Sequence, residues 1–367
     1  MADFWPNVLN RLLAREDLSA EEAAEAMRRI MAGEATPAQV AAFVVALRAK
    51  GETPSEVGGL AAAMLELAPR VEVPDGSVVD TCGTGGDRAG TINVSTIAAV
   101  VAAGAGAVVA KHGNRAASSR CGSADLLEAL GVKVALQPDG VSRCLAEVGI
   151  GFMFAPVFHS AMAHAAGPRK EMGIPTVFNF LGPLTNPARP TAQVVGVSAE
   201  RMVPVLAGVL AERGTAAFVV HGGDGLDELT TTGPSQLLDT RGGSVDESSF
   251  DPGSFGLAQA SAADLAGGDV ETNVAAARSV LSGERGPKRD IVLLNAAAAL
   301  TVAGLASGWG DGLRRAGESI DSGAAGRVLD RWIEVSNQTR VRLVHLLADP
   351  SRSNVCSSYV KSSVPKQ

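Results

Sequence analysis

In residues 1–70 apolar side chains recur at helical spacing, and no alternating run interrupts them. Ser19 and Glu22 stand three apart ahead of a periodic stretch that runs to Met31, which is a capping-box pattern. Thr36-Pro37 and Thr53-Pro54 each set a hydroxyl cap before a proline at the first helical position, and Glu56 completes a second box with Thr53. Such helices cannot bury their apolar faces alone, so they must pack on the rest of the chain or on a second copy. After Pro74 the pattern changes. Val78 and Val79 begin a strand, a glycine-rich loop follows, and a helix opens near Asn93. Residues 108–110, 132–136 and 150–154 read as further strands, separated by a helix that Ser123 caps and Gly131 stops and by a second helix over 138–148. The alternation continues with a strand over 193–197, helical periodicity over 199–212 and a strand over 216–221. Residues 168–190, rich in Gly, Pro and Asn, read as a structured connection, and 295–305 as an Ala-rich helix. Strand and helix alternating through short links predict an α/β domain with a mainly parallel sheet. The Ser- and Lys-rich end, from about residue 338 and above all over 346–367, predicts a frayed, disordered tail.

Composition narrows the class. The chain has 367 residues, 46% hydrophobic and 19% charged, enough for two domains with real cores. The expected division is a helical domain over 1–70, completed by part of 160–190, and an α/β domain over 71–345. A net charge of −7 argues against a general nucleic-acid or anionic-membrane binder, so any anionic ligand must be held by a local site against the overall field. Cys82, Cys121, Cys144 and Cys356 lack zinc-ligand spacing and read as free thiols in a reducing cytoplasm. Asp3, Arg11, Arg15, Glu16 and Asp17 leave no room for the apolar core of a secretory signal. The most apolar run, 94–110, is broken by Gly104 and Gly106 and reads as a buried helix, a turn and a strand rather than a membrane span.

Four segments carry candidate chemistry. In Asp80-Thr81-Cys82-Gly83-Thr84-Gly85-Gly86-Asp87 a strand enters a glycine loop, and Thr91-Ile92-Asn93-Val94-Ser95-Thr96 then opens a helix. Backbone N–H groups converging at a helix N-terminus suit a pyrophosphate, though a plain tight turn explains the glycines equally well. The order of glycines fits neither a Walker loop nor the spaced dinucleotide fingerprint. Lys111-His112-Gly113-Asn114-Arg115-Ala116-Ala117-Ser118-Ser119 follows the second strand and offers two cations, two hydroxyls and a carboxamide on what reads as one loop, with a solvated polar loop as the alternative. Asp224-Gly225-Leu226-Asp227-Glu228-Leu229 puts adjacent carboxylates after a strand, where Mg²⁺ would bridge them to substrate phosphates, or where they form only an acidic surface turn. Arg169, in Arg169-Lys170-Glu171, is a bidentate partner for a carboxylate or a surface cation.

Taken together with Phe178-Asn179-Phe180-Leu181-Gly182-Pro183-Leu184-Thr185-Asn186-Pro187, these motifs resemble the anthranilate phosphoribosyltransferase family over about residues 4–332. The resemblance implies a small helical domain joined to a larger α/β domain of the nucleoside phosphorylase/phosphoribosyltransferase type, and a homodimer formed through the N-terminal helices. It implies that 5-phosphoribosyl 1-diphosphate is held by Gly83, Gly86, Asp87, Thr91, Asn93, Val94, Ser95, Thr96, Lys111, His112, Gly113, Asn114, Arg115, Ala116, Ala117, Ser118, Ser119 and Ser123. It implies that Ser95, Asp227 and Glu228 hold Mg²⁺, two ions per site, that Gly83, Asn114 and Arg169 receive anthranilate, and that Pro156, His159 and Met162 flank its entry. No residue is assigned as a general base, because a neutral aniline amine is already nucleophilic.

Two rival readings remain at this point. A pyrimidine nucleoside phosphorylase would share the architecture, but that family's Lys-His-Ser-Thr-Gly-Gly type of phosphate loop is missing here. A non-catalytic nucleic-acid-binding relative would need a basic groove and could lose the acidic pair, whereas this chain keeps the pair.

Overall fold

The computed structural model describes residues 4–116 and 120–338, and the capped starts predicted for the N-terminal helices are all made. Helices α1 (Phe4–Leu13), α2 (Ala20–Met31), α3 (Pro37–Lys50) and α4 (Pro54–Leu67) follow one another without a strand. At α2 the Glu22 N–H donates to Ser19 Oγ (3.2 Å) and the Ser19 N–H donates back to Glu22 Oε2 (2.8 Å). Thr36 with Gln39 and Thr53 with Glu56 repeat the box. Each such cap stabilises a helix by about 1 kcal/mol.

From residue 78 the chain builds a seven-stranded sheet in the order β3-β2-β1-β4-β5-β6-β7. Along the chain come β1 (Val78–Gly83), α5 (Val94–Gly104), β2 (Val108–Gly113), α6 (Ser123–Leu130), α7 (Pro138–Val148) and β3 (Ile150–Phe154). Then follow α8 (Ala155–Phe158), α9 (Ala163–Met172), β4 (Ala192–Gly196), α10 (Val203–Glu212) and β5 (Ala216–Gly222). Strands β6 (Ser235–Asp239) and β7 (Asp246–Phe250) precede α11 (Val270–Leu281), α12 (Pro287–Val302), α13 (Trp309–Asp321) and α14 (Ala324–Asn337). Strands β3 to β5 in that order are parallel, as predicted, while β6 and β7 add an antiparallel edge. The strand order reverses between β1 and β4. Open parallel sheets offer a ligand crevice at such a switch point, outside the carboxyl ends of the strands.

One buried cluster joins α5, α6, α7 and α12 with the β1, β2 and β3 strands. A second unites α1 to α4 with Val177, Phe178, Leu181 and Leu184 from the 168–190 connection, with α10, and with Val195 and Val219 of the sheet. Helix α9 packs on α2 and α3. Among the described residues no helix is long and apolar enough to cross a membrane. Cys82, Cys121 and Cys144 are buried and form no disulfide among the described residues; Cys356 and the expected tail lie outside the described residues.

Four expectations are corrected. Residues 132–136 are not a strand, although Val132, Val134 and Leu136 are buried in alternation. Their backbone has no strand beside it, and the Lys133 N–H bonds to Ser336 Oγ of α14 instead (3.1 Å). The cap of α6 is Gly122 rather than Ser123, with Asp125 Oδ2 accepting the Gly122 N–H at 2.9 Å. Lys111, His112 and Gly113 are the last rungs of β2, paired to β3, not part of a loop. The Ala-rich helix spans Pro287–Val302, opening on a proline well before residue 295.

Candidate active site

The glycine loop and the acidic pair meet at the switch point. The Thr84 N–H donates to the Gly196 carbonyl (2.9 Å), tying the end of β1 to the end of β4. The Gly85 N–H donates to Asp227 Oδ2 at 2.6 Å. A Cβ on Gly83 would lie 2.1 Å from Asp227 Oδ2, and one on Gly196 only 1.5 Å from the Asp227 carbonyl oxygen. Both positions are glycine because the 227–228 backbone packs directly on the strand ends. From α12, Asn295 Nδ2 donates to Leu229 O (2.9 Å) and Asn295 Oδ1 accepts the Leu229 N–H (3.2 Å), which fixes the acidic segment from its far side.

Carboxylate oxygens of Asp87, Asp227 and Glu228 lie within 4.8 Å of one another. Thr81, Ser95, Asp227, Glu228 and Asn295 line a cavity of about 10 Å³, room for roughly one water-sized occupant. Glu228 Oε2 is buried with no hydrogen-bond partner among the described residues. Burial first, then the charge of Asp87, pushes Asp227 up to about 7. Burial and the neighbouring Asp227 drive Glu228 well above the carboxylate range. The nearest cation is Lys111, itself buried; it donates to Thr81 O and, at 3.4 Å, to Ser95 Oγ. Desolvation depresses its pKa, and Asp80 is the largest charge opposing that effect. One ammonium therefore serves Asp80, Asp227 and Glu228. Hard oxygen ligands in excess of counter-charge, one of them orphaned, fit a divalent cation such as Mg²⁺.

The donor segment of β2 divides in two. Lys111 points under the glycine loop, whereas Asn114, Arg115, Ala116 and Ser123 gather at the start of α6. Ser123 Oγ donates to Asn114 O (3.1 Å), and the Ala116 N–H donates to Asp125 Oδ2 (3.0 Å). Arg115 is exposed and pairs with Asp125 (2.9 Å) and Glu128 (2.8 Å). Ala117, Ser118 and Ser119 lie outside the described residues. At the opening of α5, Asn93 Nδ2 donates to Cys121 O (3.0 Å), Val94 is core, and Thr96 Oγ1 is buried without a partner among the described residues. Thr91 forms a bridge with Ala266, and Gly86 takes a left-handed φ of 87°.

His112 is no cation. Its Nδ1 donates to Gly182 O (2.9 Å), its Nε2 is buried without a partner among the described residues, and its ring meets that of His159 edge-on at 5.3 Å. His159 is held in the same way by Thr185 O (2.8 Å). Burial lowers His112 to about 3. The folded state thus refuses a proton that the unfolded chain accepts below 6.5, the ordinary value. Stability from this group is present above that pH and lost as pH falls, by roughly 1.4 kcal/mol per pH unit. Replacing His112 with Gln should therefore flatten the acid side of a urea-unfolding series between about pH 6.5 and pH 4 relative to the unsubstituted protein. Parallel curves would contradict the neutral assignment.

Arg169, on α9, is half-buried and has no carboxylate partner among the described residues; its guanidinium lies over the Phe178 ring at 5.7 Å. Burial pulls its pKa down. Pro156 is exposed on α8 and Met162 half-buried just before α9. Two parts of the site are not legible in the motifs. The resemblance gives Asp87 only a contact to the donor, yet it stands with the metal carboxylates. Asp80 and Asn186 form a buried brace, with Asn186 Nδ2 donating to Asp80 Oδ2 (2.9 Å) and Ala110 O (2.7 Å). The adjacency of Asp80 and Asp87 to the glycine motif is the only signal of either role in the sequence.

A helical bundle beside a parallel sheet, with a carboxylate cluster against a glycine loop, defines a glycosyltransferase-type architecture. Residues 6–68 match the helical bundle domain of the glycosyl transferase family and residues 75–326 its a/b domain. An anthranilate phosphoribosyltransferase of Acidothermus cellulolyticus is 58% identical over 342 residues, 92% of this chain and 96% of that protein. The crystal structure of the Thermus thermophilus enzyme of that name superposes with a TM-score of 0.86 at 43% identity, covering 90% of this chain and 99% of that one. The Saccharomyces cerevisiae enzyme in complex with PRPP and Mg gives 0.83 at 30% identity, covering 90% and 97%. The chain belongs to the anthranilate phosphoribosyltransferase family, and its reaction is a phosphoribosyl transfer in tryptophan biosynthesis.

Proposed function

We propose that this site holds 5-phosphoribosyl 1-diphosphate between the 83–87 loop and the Asp227–Glu228 pair and passes its ribosyl group to the amine of anthranilate. The observation that carries the reading is the shared oxygen cluster of Asp87, Asp227 and Glu228 beneath the Gly85 N–H. Ser95, Asp227 and Glu228, joined by Asp87, would hold Mg²⁺, two ions per site. Bound Mg²⁺ supplies charge neutralisation to the departing diphosphate. The loop N–H groups and the start of α5 bind phosphate oxygens, and the Lys111 ammonium lowers the cost of assembling negative charge there. The anthranilate nitrogen bonds to ribose C1 as the C1–diphosphate bond breaks, and the amine then sheds its proton. Catalysis rests on placement and on stabilising the leaving group, without a covalent enzyme intermediate.

Asn114 and Arg169 take the acceptor, with Gly83 beside it. An unpaired, half-buried guanidinium is a natural seat for the anthranilate carboxylate. Arg169→Ala should raise the anthranilate KM about 10- to 100-fold, a loss of roughly 1.5–3 kcal/mol for a charged hydrogen bond; an unchanged acceptor KM would remove the assignment. The helical domain, residues 1–70 with part of 160–190, forms the homodimer contact, and the enzyme works in the cytoplasm. Loss of anthranilate fluorescence that requires both the phosphoribosyl donor and Mg²⁺ tests the reaction. Loss without the donor, or none with it, would overturn the reading.

A further inference from the structure

We infer that Arg88 binds the phosphate oxygens of the phosphoribosyl donor, an inference that rests on the function proposed above. Arg88 has a φ of 60°, in the left-handed region that costs an L side chain steric energy, and the other residues of its loop with that handedness are Gly85 (68°), Gly86 (87°) and Gly90 (67°). Glycine would suit the backbone better here. Arg88 is exposed, and among the described residues its side chain makes no hydrogen bond and no ion pair. Nothing in the described part of the fold uses the guanidinium.

The loop sets this residue in place from both ends. On one side Ser198 Oγ donates to Gly85 O (2.7 Å) and the Gly85 N–H donates to Asp227. On the other the Gly267 N–H donates to Gly90 O (2.9 Å), and Thr91 bridges Ala266. The span between these clamps carries Asp87, whose carboxylate belongs to the cation cluster, and Arg88 follows it directly. The other cations of the donor-binding motifs are committed: Lys111 to Thr81 and Ser95, Arg115 to Asp125 and Glu128. A polyanionic donor approaching three carboxylates on a chain of net charge −7 meets an uncommitted cation on the loop itself. Its fork of donors matches phosphate oxygens.

Steady-state kinetics of Arg88→Gly and Arg88→Lys test this, with the donor varied at saturating anthranilate and Mg²⁺. Arg88→Gly should raise the donor KM about tenfold, equivalent to about 1.4 kcal/mol. Its kcat and anthranilate KM should stay within about twofold, and its melting temperature should not drop, because the glycine relieves the backbone. Arg88→Lys should fall between it and the unsubstituted protein. A parallel rise in the inhibition constant of inorganic diphosphate assigns the contact to the diphosphate end, and an unmoved one to the 5-phosphate. A donor KM within about twofold in Arg88→Gly, or a loss that appears in kcat instead, overturns the inference. If the unsubstituted protein performs no transfer at all, the functional reading fails first and takes the inference with it.

Discussion

Glu228→Ala is expected to lower kcat about 10²- to 10³-fold, roughly 2.7–4 kcal/mol of barrier, with the fold intact. Among the described residues Glu228 Oε2 has no hydrogen-bond partner, so its removal isolates the charge role. Asp227→Ala should cost at least as much, because Asp227 Oδ2 also accepts the Gly85 N–H. The same substitutions relieve repulsion among buried carboxylates whose pKa values are already raised. Without Mg²⁺ the variants should therefore melt no lower than the parent, while Mg²⁺ and donor together should stabilise the parent more than either variant. Functional sites commonly hold such destabilising charge. Near-normal turnover of both variants at saturating Mg²⁺ would rule out the metal role.

Gly196→Ala is expected to disable the site through backbone alone. The added methyl would start 1.5 Å from the Asp227 carbonyl oxygen, a main-chain atom two residues before Leu229, whose backbone Asn295 holds from behind. Relief requires moving the 227–228 peptide, hence both carboxylates. Overpacking of this kind costs about 1–3 kcal/mol of stability. An ångström of misplacement in a positioning site can cost about 10²-fold in rate. Gly326→Ala on α14, where nothing lies within 4 Å of the new methyl, is the control: it should leave the rate unchanged and, by replacing a helical glycine, raise stability by about 0.5–1 kcal/mol rather than lower it. Wild-type kcat and melting temperature in Gly196→Ala would show that the strand end is not what positions the acidic pair.

What can be read from the chain, and what cannot, follows from where the physics is local. Capping boxes are decided by residues three apart, so Ser19/Glu22 and Thr53/Glu56 mark their helices in the sequence itself. Parallel strands buried on both faces, such as 150–154, announce themselves as apolar runs. The β6–β7 hairpin does not, because β7 is an exposed edge strand, Asp246 to Phe250, with only its last residue buried. Charged edges resist unwanted pairing, and that erases the apolar alternation a reader looks for. Residues 132–136 mislead for the opposite reason: the alternation is present, but a helix hydroxyl, not a strand, takes the backbone hydrogen bond.

At the site, motif residues are legible while partnerships are not. Asp87 stands some 140 positions from Asp227 and Glu228, and no spacing rule joins them. Only the sheet order, with β1 beside β4 and β4 beside β5, makes them neighbours. Lys111 looks like a loop cation because its motif is polar, yet the strand continues through it and carries its side chain under the glycine loop. Arg115, in the same motif, turns to α6.

On the function proposed here, the 83–87 loop and the Asp227–Glu228 pair grip one metal-bound diphosphate. Titration calorimetry of 5-phosphoribosyl 1-diphosphate, with and without Mg²⁺, measures that coupling directly in the parent protein and in an Asp227→Asn/Glu228→Gln double variant. Mg²⁺ should tighten donor binding at least about tenfold in the parent, a coupling of about 1.4 kcal/mol, and hardly at all in the double variant. Equal Mg²⁺ enhancement in both proteins would mean that the metal sits elsewhere.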